Sequence, residues 1–196
     1  IQFEPTNSNS VAFFYYTTAT GGRNEIATSS GLNTAHEAGD VRQAINATTL
    51  GGGSTNLKTL KFTRVSTGDD NVVMFRLAEL YLIRAEARAQ IGGAANLVDA
   101  LADVNVIRVR AGLAANTTAT TPATLITAIL KERRVEFAHE GHRFFDLKRT
   151  NLLATTIGAS YFGISGTINN TFRALWPIPQ REVLTSGGII AQNTGY

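Results

Sequence analysis

From Val72 onward the apolar residues fall into a helical period. Leu77, Leu80, Arg84 and Ile91 lie close to one side. Beside them runs a stripe of mostly small residues, Ala78, Leu82, Ala85 and Ala89, which predicts a helix that accepts a close neighbour. Gly92-Gly93 stop it. The period resumes from about 95 to 110, with Leu97, Leu101, Val104 and Ile107 predicted inward, and ends at Ala111-Gly112. The short connection predicts an antiparallel pair. Thr121-Pro122 joins a capping residue to one suited to a first turn. It opens a third helix whose apolar side is Leu125, Ile126, Ile129, Leu130 and Phe137. Gly141 interrupts that run, and His142 to Arg149 is predicted as a short fourth helix. Helix pairs with a small-residue stripe have the form of a helical-repeat unit.

The flanks follow no such period. IQFEP at the start reads as a short strand closed by Pro5, and VAFFYY (11–16) as a strand or a buried loop segment. Gly21-Gly22, SSG (29–31) and GGGS (51–54) are turn or linker signals. KTLKFTRV (58–65) alternates and predicts one short strand. GDDN (68–71) predicts a turn, with Asp70 or Asn71 capping the first helix. After Thr150 the chain reads as loose again. ATTIGASYFGISGTINN is loop in character, and Pro177 and Pro179 impose an extended course on their predecessors. The division is therefore one domain over 1–196: a loop-rich segment (1–71) packing on the helices, a helical core (72–150), and a loop and terminal segment (151–196).

Composition narrows the function. Of 196 residues, 43% are hydrophobic and only 17% charged, with a net charge of +3. Basic and acidic residues alternate and form no concentrated basic footprint, which argues against nucleic-acid binding. The absence of cysteine excludes disulfides and thiolate metal sites. No apolar run approaches a membrane span. The chain opens on Ile1 without a basic leader, which is the pattern of a mature chain or an excised fragment.

The densest chemistry is KERRVEFAHEGHRFFDLKR (131–149). Glu132 and Glu136 sit one turn apart, and His139 completes an E-x-x-H. A di-iron bundle needs a second such motif on a facing helix. Glu79 and Glu86 have no histidine three residues on. The stronger reading is an ionic network in which Glu132, Arg133, Arg134, Glu136 and Arg143 neutralise one another between helices. Arg76 and Arg84 are within reach of Glu79 and Glu86 in the same sense. Asp99 and Asp103 read as a solvated face, and Arg108 and Arg110 as favouring a helix end. No G-x-S-x-G elbow is present, and GGGS lacks the Gly-Lys-Ser/Thr continuation of a phosphate loop. No enzyme reading gains support.

Aromatic residues offer a different chemistry, because a rigid apolar ring with polar flanks can take a sugar face. The candidates are Tyr15, Tyr16, Tyr161, Phe162 and Trp176. Packing is favoured for Trp176, since large aromatics are highly buried on average. Tyr161 is the better ligand candidate, set among Gly, Ser and Asn in a loop.

Five blocks in order carry a resemblance: FRLAELYLIRAEARAQIGG (75–93), LADVNVIRVRAGL (101–113), KERRVEFAHEGHRFFDLKR (131–149), LWPIPQREV (175–183) and QNTGY (192–196). Together they resemble the carboxy-terminal part of the SusD/RagB family. The resemblance implies a mainly α fold of tetratricopeptide-like helical pairs with long irregular loops and at most a few short strands. It implies an outer-membrane lipoprotein of Bacteroidetes that faces outward and captures glycans or other polymeric nutrients without cleaving them. The implied partner is a SusC-like TonB-dependent transporter, with no cofactor. The lipid anchor would lie in a missing amino-terminal part. The resemblance also implies a scaffold role for Glu132, Arg133, Arg134, Glu136, Glu140, Gly141, Arg143, Asp146, Leu147 and Arg149, with Glu79 and Glu86 beside them. Gly141 would allow a bend, and Asp146 would cap or pair with an arginine. Arg143→Ala is then expected to damage folding and not a ligand contact. Thr194 stands where the family usually has proline, and no motif transfers a ligand site onto this chain.

Overall fold

The computed structural model describes residues 10–16, 21–49, 57–157 and 175–196. In chain order the elements are helices α1 (Val11–Tyr15), α2 (Ser30–Asn33) and α3 (Gln43–Asn46), strands β1 (Thr48–Thr49) and β2 (Leu57–Lys58), then helices α4 (Leu77–Ile91), α5 (Ala94–Arg110), α6 (Pro122–Glu136), α7 (His142–Arg149), α8 (Leu153–Ile157) and α9 (Gln180–Thr185). The fold is predominantly helical. Among the described residues two strands pair antiparallel, Thr48 opposite Lys58 and Thr49 opposite Leu57. The chain falls into two compact units, residues 1–143 and 144–196.

The core of the first unit is where α4, α5 and α6 meet. Ala78, Leu82, Ala85 and Ala89 of α4 bury against Ala100, Val104 and Ile107 of α5 and Leu125 and Ile129 of α6, with Phe137 and Ala119 closing the cluster. Alanines at one-turn spacing keep side chains short at the contact, so the helix axes come close. Leu97 and Leu101 pack at its edge. The start of α6 follows its sequence signal. The Thr121 hydroxyl accepts from the Thr124 amide, Thr124 reaches back to the Thr121 amide, and Pro122 occupies the first turn.

Four local expectations are corrected. Residues 11–15 are helical, because Ser10 caps Phe13. The resulting turn buries Ala12 and Tyr15 against Phe62 and Val65. Gly22 closes this turn, since an added Cβ would lie 2.3 Å from the Tyr16 carbonyl oxygen. The strand expected over 58–65 is confined to Leu57–Lys58. The first long helix starts at Leu77 with Arg76 at the N-cap in extended conformation. Asp70 instead accepts from the Arg64 amide at 2.7 Å, and Asp69 binds the Arg64 guanidinium. The Arg76 guanidinium binds Glu136 and Glu140. After residue 150, α8 and α9 form short helices within the stretch read as loose. The expected strand at 1–5 and the linker at 51–54 lie outside the described residues.

In the second unit the terminal side chains grip a single extended segment. Gln192 accepts from the Ile178 amide at 2.7 Å through Oε1 and donates through Nε2 to the Ile178 carbonyl at 2.8 Å. Asn193 donates to the Trp176 carbonyl at 2.7 Å, and the Tyr196 hydroxyl to the Leu175 carbonyl at 2.9 Å. Proline at 177 and 179 prevents a full backbone ladder there. Side chains from 192–196 supply those hydrogen bonds.

Candidate functional site

The charged stretch forms the centre of a buried ionic cluster whose other members come from far along the chain. Glu132 and Glu136 lie on one face of α6, and both are almost fully buried. Arg42 spans them, Nη1 donating to Glu132 at 2.6 Å and to Glu136 at 2.9 Å. Its Nε and Nη2 grip Asp40 at 2.8 and 2.7 Å. Arg76 donates to the Glu136 carboxylate, and to Glu140 at 2.8 Å. Arg110 donates to Glu136 at 2.5 Å. Lys61 donates to Glu140 at 2.5 Å and to the carbonyls of Glu136 and Ala138 at 3.1 and 2.8 Å. Arg108 holds Glu37 through two bonds of 2.9 Å and reaches Glu132 at 3.5 Å.

Burial alone would push the Glu136 carboxyl up, but hydrogen bonds from Arg76, Arg110 and Arg42 overcome it and hold the group at about 2. Burial wins at Glu132, whose carboxyl is raised despite Arg42. Lys61 is pushed down by burial, against the pull of Glu140. Such an arrangement fixes charges in place. Both oxygens of Glu136 and of Glu140 are occupied by cations. The E-x-x-H reading fails on the same geometry. His139 Nε2 donates to the Asn46 carbonyl at 3.0 Å, and Nδ1 accepts from the Tyr15 hydroxyl at 3.0 Å. Among the described residues no group of three or more metal-ligating side chains is assembled.

Arg133 lies buried with its guanidinium 5.0 Å from the Phe137 ring centre. Arg134 donates to the Gly31 carbonyl at 2.7 Å and so ties α2 to α6. Glu79 stands 3.6 Å from His142. Glu86 and Arg143 are half-buried. Gly141 has φ +83° at the bend before α7. In the second unit Asp146 accepts from Arg149 at 2.8 and 3.0 Å. Asp103 corrects the solvated-face expectation. It is buried, and Arg84 and Arg88 bind it at 2.6 and 2.7 Å. Arg108 is likewise a buried network member and not only a helix-end charge. Sequence reasoning missed Asp40, Arg42, Lys61 and Glu37. The Asp40-x-Arg42 spacing is the one local signal that could have flagged a self-paired anchor.

The aromatic candidates separate. Tyr15 is 6% exposed and stacks on Phe62, with ring centres 6.1 Å apart. Tyr16 is half-buried against the same cluster. Tyr161 and Phe162 lie outside the described residues. Trp176, for which packing is favoured from sequence, is 84% exposed. Its backbone is held by the Asn193 bond, so a large ring stands on a fixed main chain.

The described residues are predominantly helical, and in the first unit the helices α4, α5 and α6 pack together, with α6 carrying the centre of a buried ionic cluster. The SusD family model matches residues 2–196, and the chain belongs to that family. It is 31% identical over 170 residues to SusD-like protein P38 of Formosa agariphila, covering 81% of this chain and 32% of that one. It is 33% identical over 134 residues to the starch-binding protein SusD of Bacteroides thetaiotaomicron, covering 65% of this chain and 22% of that one. In fold it is similar to a SusD superfamily protein from Bacteroides vulgatus, with TM-score 0.77, 21% identity, and 97% of this chain and 48% of that one covered. The chain thus spans about a third or less of the length of the curated relatives it matches.

Proposed function

We propose that residues 1–196 act as one SusD/RagB-like carboxy-terminal domain that captures glycans or other polymeric nutrients at the cell surface without cleaving them. The ligand passes to a SusC-like TonB-dependent transporter. The whole protein sits on the extracellular face of the outer membrane, held there by a lipid anchor. Among the described residues no helix is long and apolar enough to cross a membrane. Family membership across residues 2–196 carries this reading. One relative is by name a starch-binding protein.

Within this chain Trp176 is the proposed contact. An exposed indole on a braced main chain offers a sugar ring an apolar face at little ordering cost. Tyr161 and Phe162 are proposed as further contacts on sequence grounds, whereas Tyr15 and Tyr16 support the fold around them. A glycan array probed with the folded chain and with Trp176→Ala tests the reading. Binding that Trp176→Ala weakens at least about tenfold is expected, the scale of a lost aromatic contact. Absence of binding to every glycan by a folded chain would contradict it.

A second reading, a scaffold that chiefly docks on the transporter, is favoured by one observation. Leu77, Leu80, Ile83 and Ile91 of α4 are each more than half exposed. Capture of the transporter without glycan binding would select it.

A further inference from the structure

The carboxylates at the centre of the ionic cluster are saturated, but one of its cations is not. Arg110 donates a single hydrogen bond among the described residues, from Nη2 to Glu136, and its side chain is 54% exposed. A guanidinium carries five N–H groups in a planar fork matched to carboxylate-type oxygens. Arg110 faces a cleft of about 460 Å³, a volume within the range of small-molecule sites. The cleft is lined by Arg42, Lys61, Arg76 and Arg110 and by Glu136 and Glu140; Arg42 is further paired with Asp40 and Glu132, which leaves Arg110 as the cation with donors to spare. Its other wall is aliphatic. Val41 and Ile45 are 59% and 45% exposed there, next to Ala111.

The cleft therefore combines free guanidinium donors on Arg110 with aliphatic side chains.

We propose that this cleft seats an acidic sugar, a glycan unit bearing a carboxylate or a sulfate. Its anionic group lies in the Arg110 fork, and its C–H face packs on Val41 and Ile45. This rests on the glycan-capture reading.

The test titrates the chain with galacturonate oligomers, sulfated galactose oligomers and neutral galactose oligomers of equal length, following affinity and the methyl resonances of Val41 and Ile45. Acidic oligomers are expected to bind at least tenfold more tightly than neutral ones, with an advantage that shrinks as salt rises. Arg110→Ala should remove the preference by about ten- to hundredfold, the range for losing a charged hydrogen-bond partner. Val41→Glu, at an exposed position, puts a carboxylate on the cleft wall. It should remove the preference too, which guards against Arg110→Ala failing to fold. Whichever acid wins identifies the anion. Equal affinity for acidic and neutral oligomers overturns the proposal and leaves glycan capture standing. Methyl shifts with galacturonate alone, and no binding of any polymeric glycan, keep the cleft and overturn the capture reading. An acidic peptide that outcompetes every sugar overturns the proposal in favour of a protein ligand, and binding of nothing overturns both.

Discussion

Two regions of this molecule hold their backbone by opposite means. In the first unit, charged side chains converge from segments up to 94 residues apart on two buried glutamates of α6. In the second unit, neutral side chains at 192–196 grip the backbone of residues 175–178 at the surface. The buried cluster is all-or-none, since removal of one charge strands its partners in a low dielectric. The clamp is local and each bond is separable, because water can replace a lost partner. The difference teaches where change is tolerated. The charged stretch that looks most like an active site is a buried ion-pair network, and the quieter terminal segment displays the large exposed ring.

The sharpest way to break this contrast is Glu136→Ala. It leaves Arg42, Arg76 and Arg110 without a shared anion, and a loss of roughly 3–5 kcal/mol is expected, the scale for an orphaned buried charge. Urea denaturation followed by circular dichroism measures it, and a loss below 1 kcal/mol would remove the cluster from its framework role. Next comes Gly141→Ala. Nothing lies within 4 Å of the added Cβ, so the cost is the left-handed backbone alone, about 1–2 kcal/mol. Gln192→Ala follows, at about 1 kcal/mol. It should appear as lost amide-exchange protection at Ile178, with protection in α4–α6 unchanged. Smallest is Trp176→Ala, within about 0.5 kcal/mol as for an exposed site.

Acid divides the first unit further. Burial depresses His139, so the folded state keeps it neutral. Stability is full above the ordinary histidine value of about 6.5 and falls as pH drops below it. Glu136 is held at about 2 against an ordinary 4.5, so its contribution is present above 4.5 and is lost toward pH 2. Glu132 is raised and works in the opposite direction, gaining stability as it protonates. A pH series of unfolding midpoints should therefore show a first decline below about 6.5 that His139→Gln removes, and a steeper one below 4.5 that Glu136→Gln removes.

Much of the helical core was legible in the sequence, because a 3.6-residue period, a Thr-Pro start and a Gly-Gly stop are local signals. The alanine stripe of α4 is the face that is buried. Legibility failed where a distant partner decides. The first long helix starts at Leu77 and not near Asp70, and the Arg76 before it is held by Glu136 and Glu140, some sixty residues on. Asp103 looks solvated until Arg84 and Arg88 fold over it from the preceding helix. VAFFYY has strand composition, and a single serine cap turns it helical. For the candidate site, the residue types were readable but not their exposure. Tyr15 and Trp176 are both aromatic, and only the fold buries one and presents the other.

The most direct test of the central claim is a paired measurement on wild type and Trp176→Ala, affinity for an array-selected glycan together with melting temperature. The account predicts a loss of affinity of at least about tenfold with the melting temperature unchanged. Unchanged affinity in the variant would place capture elsewhere, and a parallel fall in melting temperature would make Trp176 part of the framework.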